Sequence, residues 1–372
     1  MEGSVSVGLV ANPASARDIR RLVAHGGSLT THDKLNRLQR VLAGLAAAGV
    51  TGVVSMADRA GIMGGLLGLA SRPAAARWPA LTFVDQPVTQ TEQDAAVATR
   101  AMVDAGVGAI VVLGGDGTNR VVATESGTTP LVSISTGTNN AFPRPVESTV
   151  AGLAAGLVAT NHRCRAVGTY RAKRLLVTCG DRTDLAIVDV AIGRGDGVGS
   201  GAVWDAASIA ELFLCFAEPD AIGLSAIGGQ VRPTDRREAE GLALRLGHPA
   251  ASTVHAAIGP GLVSPVGIQA TTEMMPGVAV PVHAEQGVIA VDGERRHRFG
   301  PDDRPTVTLD PAGPVVVDVP AVMAHAAAQG LLSSPASGPC IGGRDPTGVR
   351  DPTSNPSETD NASNQTEGEA AT

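Results

Sequence analysis

An α/β domain built on a Rossmann-like parallel sheet, followed by an all-β sandwich-like domain, is the architecture this sequence predicts. Three observations carry it. Residues 4–160 alternate short apolar runs with helical patterns, which implies parallel strands covered on both faces by helices. From about residue 163, short apolar runs follow one another at close intervals, separated by turn residues, as in an all-β domain. The chain has 372 residues, enough for two domains at about 150 residues each. The predicted division is residues 1–160, residues 161–332 and an acidic tail, 333–372, too poor in apolar side chains to order itself.

Val5–Val10 reads as the first strand, and Leu35, Leu38, Leu42 and Leu45 then share one helix face. Gly52–Met56 is a strand, Ile62–Leu69 a helix and Leu81–Val84 a strand. Thr91 opens a helix with acidic residues near its positive end, Ala95, Ala98, Met102 and Ala105 form its buried face, and Gly106 stops it. Ala109–Leu113 is the most apolar strand, Leu131–Ser135 follows, and Val146–Ala159 closes the region as a helix. In the second half the strand candidates are 175–179, 185–192, 241–246, 253–258, 278–282, 288–291, 305–309 and 315–319. One helical insert is expected at Trp204–Ala217, and a last helix, Ala321–Leu332, is placed to pack back on the first domain.

Composition narrows the function classes. Hydrophobic residues are 43% of the chain but aromatics only 2%, so the cores must be built from Val, Leu, Ile and Ala. A formal net charge of -7 gives no basic footprint for nucleic acid and fits an enzyme of small molecules. Cys164, Cys179, Cys215 and Cys340 have no metal-ligand spacing, which suggests a reducing compartment and no dedicated metal site. The N-terminus lacks a basic region and a cleavable apolar core, and no apolar run approaches the roughly 18 residues of a membrane span. A cytoplasmic homo-oligomer acting on small-molecule nucleotides is the expectation.

The central chemical signal is Gly114-Gly115-Asp116-Gly117-Thr118-Asn119, directly after the most apolar strand. Glycines let backbone N–H groups turn toward an anion without a Cβ in the way, and a helix starting at Arg120 adds positive potential for phosphate. The second is Gly137-Thr138-Asn139-Asn140, after the next strand, with Asn139 23 residues beyond Asp116. Two strands of one parallel sheet deliver both loops to the same edge, where such folds bind ligands. Asn12-Pro13, after the first strand, forms the third wall. Asp292-Gly293-Glu294 sits between two strand runs and also reads as a hairpin turn. The pair His283 and Glu285, and the arginines 236 and 237, read as solvated surface.

Together these loops resemble the NAD kinase/diacylglycerol kinase superfamily, whose lipid-kinase branch carries a similar Asp-Gly-Glu. The strings at residues 11–26, Gly201–Asp205 and Phe216–Gly229 look like the AcoX-like proteins of acetoin catabolism clusters. The resemblance implies an NAD kinase-like pair of domains with a cleft between them, ATP and Mg²⁺ as cofactors, and NAD as an acceptor. It implies Asp116 as base for the acceptor hydroxyl. It places phosphates on Gly114, Gly115, Gly117 and Thr118, with Asn12, Pro13, Asn119, Gly137, Thr138, Asn139 and Asn140 around the nucleotide. Asp292 and Glu294 would support metal-bound water near the leaving phosphate. The Thr-Gly-Ser-Thr-Ala-like segment of true NAD kinases is missing, residues 197–202 being a poor match, so the donor site is better supported than NAD as acceptor. Three readings stay open: an NAD kinase, a lipid or small diol/ketol kinase of the same fold, and a non-catalytic nucleotide-binding accessory protein.

Overall fold

In the first half, strands and helices alternate until two helices follow one another near its end. A computed structural model describes residues 5–13, 25, 27, 29–194 and 205–333; the expected tail and most of the strings at 11–26 and 201–205 lie outside the described residues. The order is β1 (Ser6–Ala11), α1 (Thr31–Ala47), β2 (Gly52–Ser55), α2 (Ile62–Ala70), β3 (Ala80–Phe83), α3 (Glu92–Asp104), β4 (Ile110–Gly114), α4 (Asp116–Glu125), β5 (Leu131–Ser135), α5 (Ser148–Thr160), α6 (His162–Gly168) and β6 (Thr169–Arg171). Local chemistry sets the helix starts. Thr30 caps α1 in a capping box with Asp33. Thr91 caps α3, and Asp94, buried in its first turn, accepts from the backbone of Thr89 and Gln90. On the buried face, α1 and α5 come so close that a Cβ on Gly152 would lie 2.3 Å from the Val41 carbonyl oxygen.

The second half runs β7 (Arg174–Cys179), β8 (Arg182–Ala186), β9 (Asp189–Gly193), β10 (Ile209–Leu214), α7 (Leu224–Gly229), β11 (Gly241–Leu246), β12 (Ser252–Gly259), β13 (Leu262–Met274), β14 (Ala279–Pro281), β15 (Gly287–Val291), β16 (Glu294–Phe299) and β17 (Thr306–Asp310). It ends in β18 (Val315–Val317) and α8 (Val319–Ala328).

The strand order of the first sheet is β3-β2-β1-β4-β5-β18-β6. Every pair in it is parallel except β18 with β6. The chain therefore reverses its direction of travel across the sheet between β1 and β4. The segments leaving these strands diverge there, and ligands of open α/β sheets bind at such a point. β4 is buried along its whole length, as its Ile-Val-Val-Leu run requires.

Two antiparallel sheets, β12-β13-β11-β10-β9-β15-β16 and β14-β17-β7-β8, make up the second half. Their inner faces share one core with the first half, in which Val10, Met102, Ile110 and Phe142 join Leu175, Val190, Phe213, Ile289 and Leu309. After β17 the chain returns: β18 pairs beside β5, and α8 buries Val322 and Ala326 in the cluster that holds Ala151, Ala155 and Cys164 of α5 and α6.

The segment expected as a helix at 204–217 is corrected. Ile209–Leu214 is the strand β10, paired on both sides with β9 and β11, and the helix follows later as α7. Its run is apolar but for Glu211, itself buried, which suits a strand covered on both sides as well as a buried helix; two waiting edges decide the matter.

Candidate functional site at the sheet switch point

Three loops meet at the carboxyl ends of β1, β4 and β5. Asn12 Nδ2 donates to Thr118 Oγ1 at 2.9 Å, joining the first loop to the second. Lys34 of α1 is 2% exposed and donates from Nζ to the carbonyls of Asn12 and Pro13 at 3.1 and 2.8 Å, so the Asn-Pro turn is held from beneath. Gly115 is the N-cap of α4, and Asp116 lies in its first turn.

The glycines of this loop answer three different close approaches. A Cβ on Gly114 would lie 2.6 Å from Thr118 Cβ, one on Gly115 2.7 Å from Asn140 Oδ1, and one on Gly117 2.8 Å from Glu294 Oε1. The backbone is thus pressed against both the Asn-Asn loop and the Asp-Gly-Glu turn. Asp116 ties the second loop to the third: its carboxylate accepts from Ala141 N at 3.0 Å and Phe142 N at 2.8 Å. Asn140 Nδ2 donates to Ser135 Oγ at 2.8 Å, and Thr138 Oγ1 accepts from Gly27 N at 3.2 Å. Asn139 Oδ1 lies toward the second half, 3.9 Å from where Gly223 would carry a Cβ. Asn119 is fully buried, accepting from Ser133 Oγ at 2.6 Å and donating to the Gly115 carbonyl at 2.9 Å; it anchors the loop from inside the sheet.

The turn Asp292-Gly293 links β15 to β16 with φ of 49° and 77°, the left-handed pair of a two-residue hairpin. The Asp292 side chain turns inward and accepts from Val188 N at 2.8 Å and from Ile187 N and Asp189 N at 3.1 and 3.3 Å. The carboxylate expected to support metal-bound water thus spends its acceptors on the second half's own backbone. Burial pushes it up to about 7, the nearby Arg120 guanidinium pulls it back down, and the charge of Asp116 adds to the rise. Arg120 of α4 is the link between the halves: Nη2 donates to Glu294 Oε2 at 2.8 Å, Nε lies 3.5 Å from Asp292 Oδ2, and Glu92 is 3.6 Å away.

Two sequence models divide the chain along the same line. The ATP-NAD kinase N-terminal domain matches residues 7–162, and the acetoin catabolism protein X C-terminal domain matches residues 173–312. Acetoin catabolism protein X of Cupriavidus necator is 42% identical over 341 residues, covering 88% of this chain and 94% of that protein. The chain belongs to the acetoin catabolism protein X family. Among solved structures, an NAD kinase from Archaeoglobus fulgidus in complex with ATP matches 76% of this chain and 99% of its own, at 15% identity and a TM-score of 0.36.

In this member of the family, sequence reasoning missed a second link. Arg236, expected on a solvated face, is 9% exposed and grips the third loop from the far side. It donates to the Phe142 carbonyl at 2.7 Å and to the Ala141 carbonyl, pairs with Glu218 at 2.8 Å, and stacks over Phe216 at 4.1 Å. Arg144 adds a second bond to Glu218 at 2.7 Å. The Ala141–Phe142 peptide groups are therefore fixed on both sides, N–H by Asp116 and C=O by Arg236. His283 is exposed, as expected, and meets the buried carboxylate of Glu211 at 3.0 Å. A cleft of about 870 Å³ opens beside this loop, between Arg37, Ser135 and Thr138 on one wall and Glu218, Asp220 and Ile222 on the other. That volume lies within the roughly 300–1,000 Å³ of small-molecule sites. Among the described residues no helix is long and apolar enough to cross a membrane.

Proposed function

We propose that the chain is an ATP-dependent phosphotransferase of the NAD kinase type, with NAD the first acceptor to be tried. One observation carries this reading: loops 12–13, 114–118 and 137–142 converge at the sheet's switch point and are stitched to one another by Asn12–Thr118 and by Asp116 with Ala141 and Phe142. Preorganised backbone and helix dipole at such a point favour a phosphate chain. Phosphoryl transfer asks little covalent work of a protein; positioning and charge stabilisation do most of it.

In this reading the N–H groups opening α4 bind phosphate oxygens, and Thr118, braced by Asn12, orients them. Asp116 accepts the proton of the acceptor hydroxyl as its oxygen attacks the terminal phosphorus and the bond to the nucleoside diphosphate breaks. Asn139 and Asn140 present amides to the acceptor's hydroxyls. Magnesium would neutralise phosphate charge here, held by those phosphates with Asp116. Among the described residues no group of three acidic, histidine or cysteine side chains is placed to hold a metal ion.

A second reading, nucleotide binding without turnover, draws on a different observation. The Asp116 and Asp292 carboxylates already accept from backbone N–H groups. One assay separates the readings. The purified chain, with ATP and Mg²⁺, is offered NAD, diacylglycerol, acetoin and butanediol in turn, and ADP release is followed. NADP formation that disappears in Asp116→Asn supports the NAD kinase reading. ADP release with another acceptor alone moves the function to that acceptor. Calorimetric ATP binding without acceptor-dependent ADP supports the accessory role, and absence of ATP binding sinks all of them.

A further inference from the structure

The cleft beside the third loop contains a cation that no carboxylate of the described residues pairs with in a salt bridge. Arg37 projects from α1 into it, and its one hydrogen bond among the described residues runs from Nη1 to the Ser135 carbonyl at 2.6 Å. A guanidinium has five donors, so most of this one remains available. Apart from Asp220, the other charges of the cleft are spoken for. Arg236 and Arg144 share Glu218 at 2.8 and 2.7 Å, and Glu147 pairs with Arg40 at 2.9 Å while capping α5. No carboxylate lies within salt-bridge reach of Arg37 among the described residues. Burial, and then the neighbouring Arg40, hold its guanidinium below the usual range, while Asp33, one turn earlier on α1, pulls the other way. On the opposite wall Asp220 is exposed and makes no side-chain hydrogen bond among the described residues.

We propose that this cleft binds a small, hydroxyl-bearing anion, its phosphate or carboxylate on Arg37 and its hydroxyls toward Asp220 and the amide of Asn140. A planar guanidinium takes either anion in a forked pair of bonds, and a carboxylate accepts from hydroxyls. The wall that carries Arg37 is continuous with the loop fixed by Asp116, so an anion seated there places its hydroxyls along the third loop. Identifying this molecule with the phosphoryl acceptor rests on the kinase proposal; the binding site itself does not. It selects charged acceptors and disfavours acetoin, butanediol and neutral lipids.

The test is calorimetric titration of the full chain with ribose 5-phosphate, with glycerate and with ribose, and separately with ATP. The two anions bind and ribose does not at the same concentration. Arg37→Gln weakens anion binding by about tenfold or more, one charge-assisted hydrogen-bonded contact, and Arg37→Lys restores part of it. ATP affinity is unchanged in Arg37→Gln, which also reports that the variant is folded. Ribose binding as well as the anions, anion binding equal in Arg37→Gln and wild type, or no anion binding at all overturns the proposal. Anion binding on Arg37 in a chain that does not take ATP keeps this site and removes the kinase reading.

Discussion

Asp292 gives the strongest test of how the two halves are joined. Its carboxyl titrates at about 7 in the folded chain, against an ordinary value of 3.8. Between these values the folded state holds a proton that the unfolded chain has released. The stability this contributes is therefore fully present below about pH 4 and is lost as pH rises through about 7. At about 1.4 kcal/mol per unit, the interval from pH 5 to 7 removes about 2.5 kcal/mol, with little further loss above it. Asp292→Asn keeps an oxygen to accept from Val188 N and cannot titrate. Urea denaturation of both proteins from pH 5 to 8 reads the effect as a difference. Asp33, Asp94, Glu147 and Asp310 are all held below the carboxylate range and shift stability the opposite way, but equally in both proteins. Wild type is expected to lose about 2.5 kcal/mol relative to the variant over that range. Parallel curves would refute the placement of this carboxylate in a dry junction.

Further outcomes follow from the same geometry. Arg236→Met leaves Glu218, whose side chain is 11% exposed, with Arg144 alone; an unfolding free energy lower by about 2–4 kcal/mol is expected in denaturant titration. The same variant releases the Ala141 and Phe142 carbonyls, so its ATP affinity falls in calorimetry as well. Gly152→Ala drives a Cβ to 2.3 Å from the Val41 carbonyl oxygen and costs about 1–3 kcal/mol by overpacking, read as a lower midpoint in thermal melts with the ATP site unaffected. Gly115→Ala displaces Asn140, 2.7 Å from the new Cβ, and is expected to weaken ATP binding by about tenfold with a smaller change in stability.

Much of this was legible in the sequence where the signal is local. The Ile110–Leu113 run, short, rich in β-branched residues and followed by glycines, reads as a strand covered on both faces, and the glycine-rich string falls at its end. Thr91 and Asp94 announced a helix start, and Asp292-Gly293 announced a hairpin. What stayed hidden depends on residues far apart in the chain. Arg120 reaches a carboxylate 174 positions away and Arg236 a carbonyl 94 positions away; no periodicity encodes either pairing. Arginine is ordinarily exposed, so reading Arg236 as solvated surface was the natural choice, and it takes the Glu218 carboxylate, the Ala141 and Phe142 carbonyls and the Phe216 ring to make burial tolerable. Ile209–Leu214 failed for another reason: a run apolar but for one buried glutamate satisfies a helix and a strand equally.

The antiparallel pairing of β6 with β18 has a consequence for how such a protein could be assembled. Arg171, where the chain leaves the first half, is the register partner of Val315, where it comes back. The 143 residues between them are therefore an insertion whose two ends emerge side by side, replaceable in principle by a short hairpin loop. A chain trimmed in this way would keep all seven strands of the parallel-rich sheet and its covering helices. The β-rich module could be transplanted between scaffolds without cutting any strand of either.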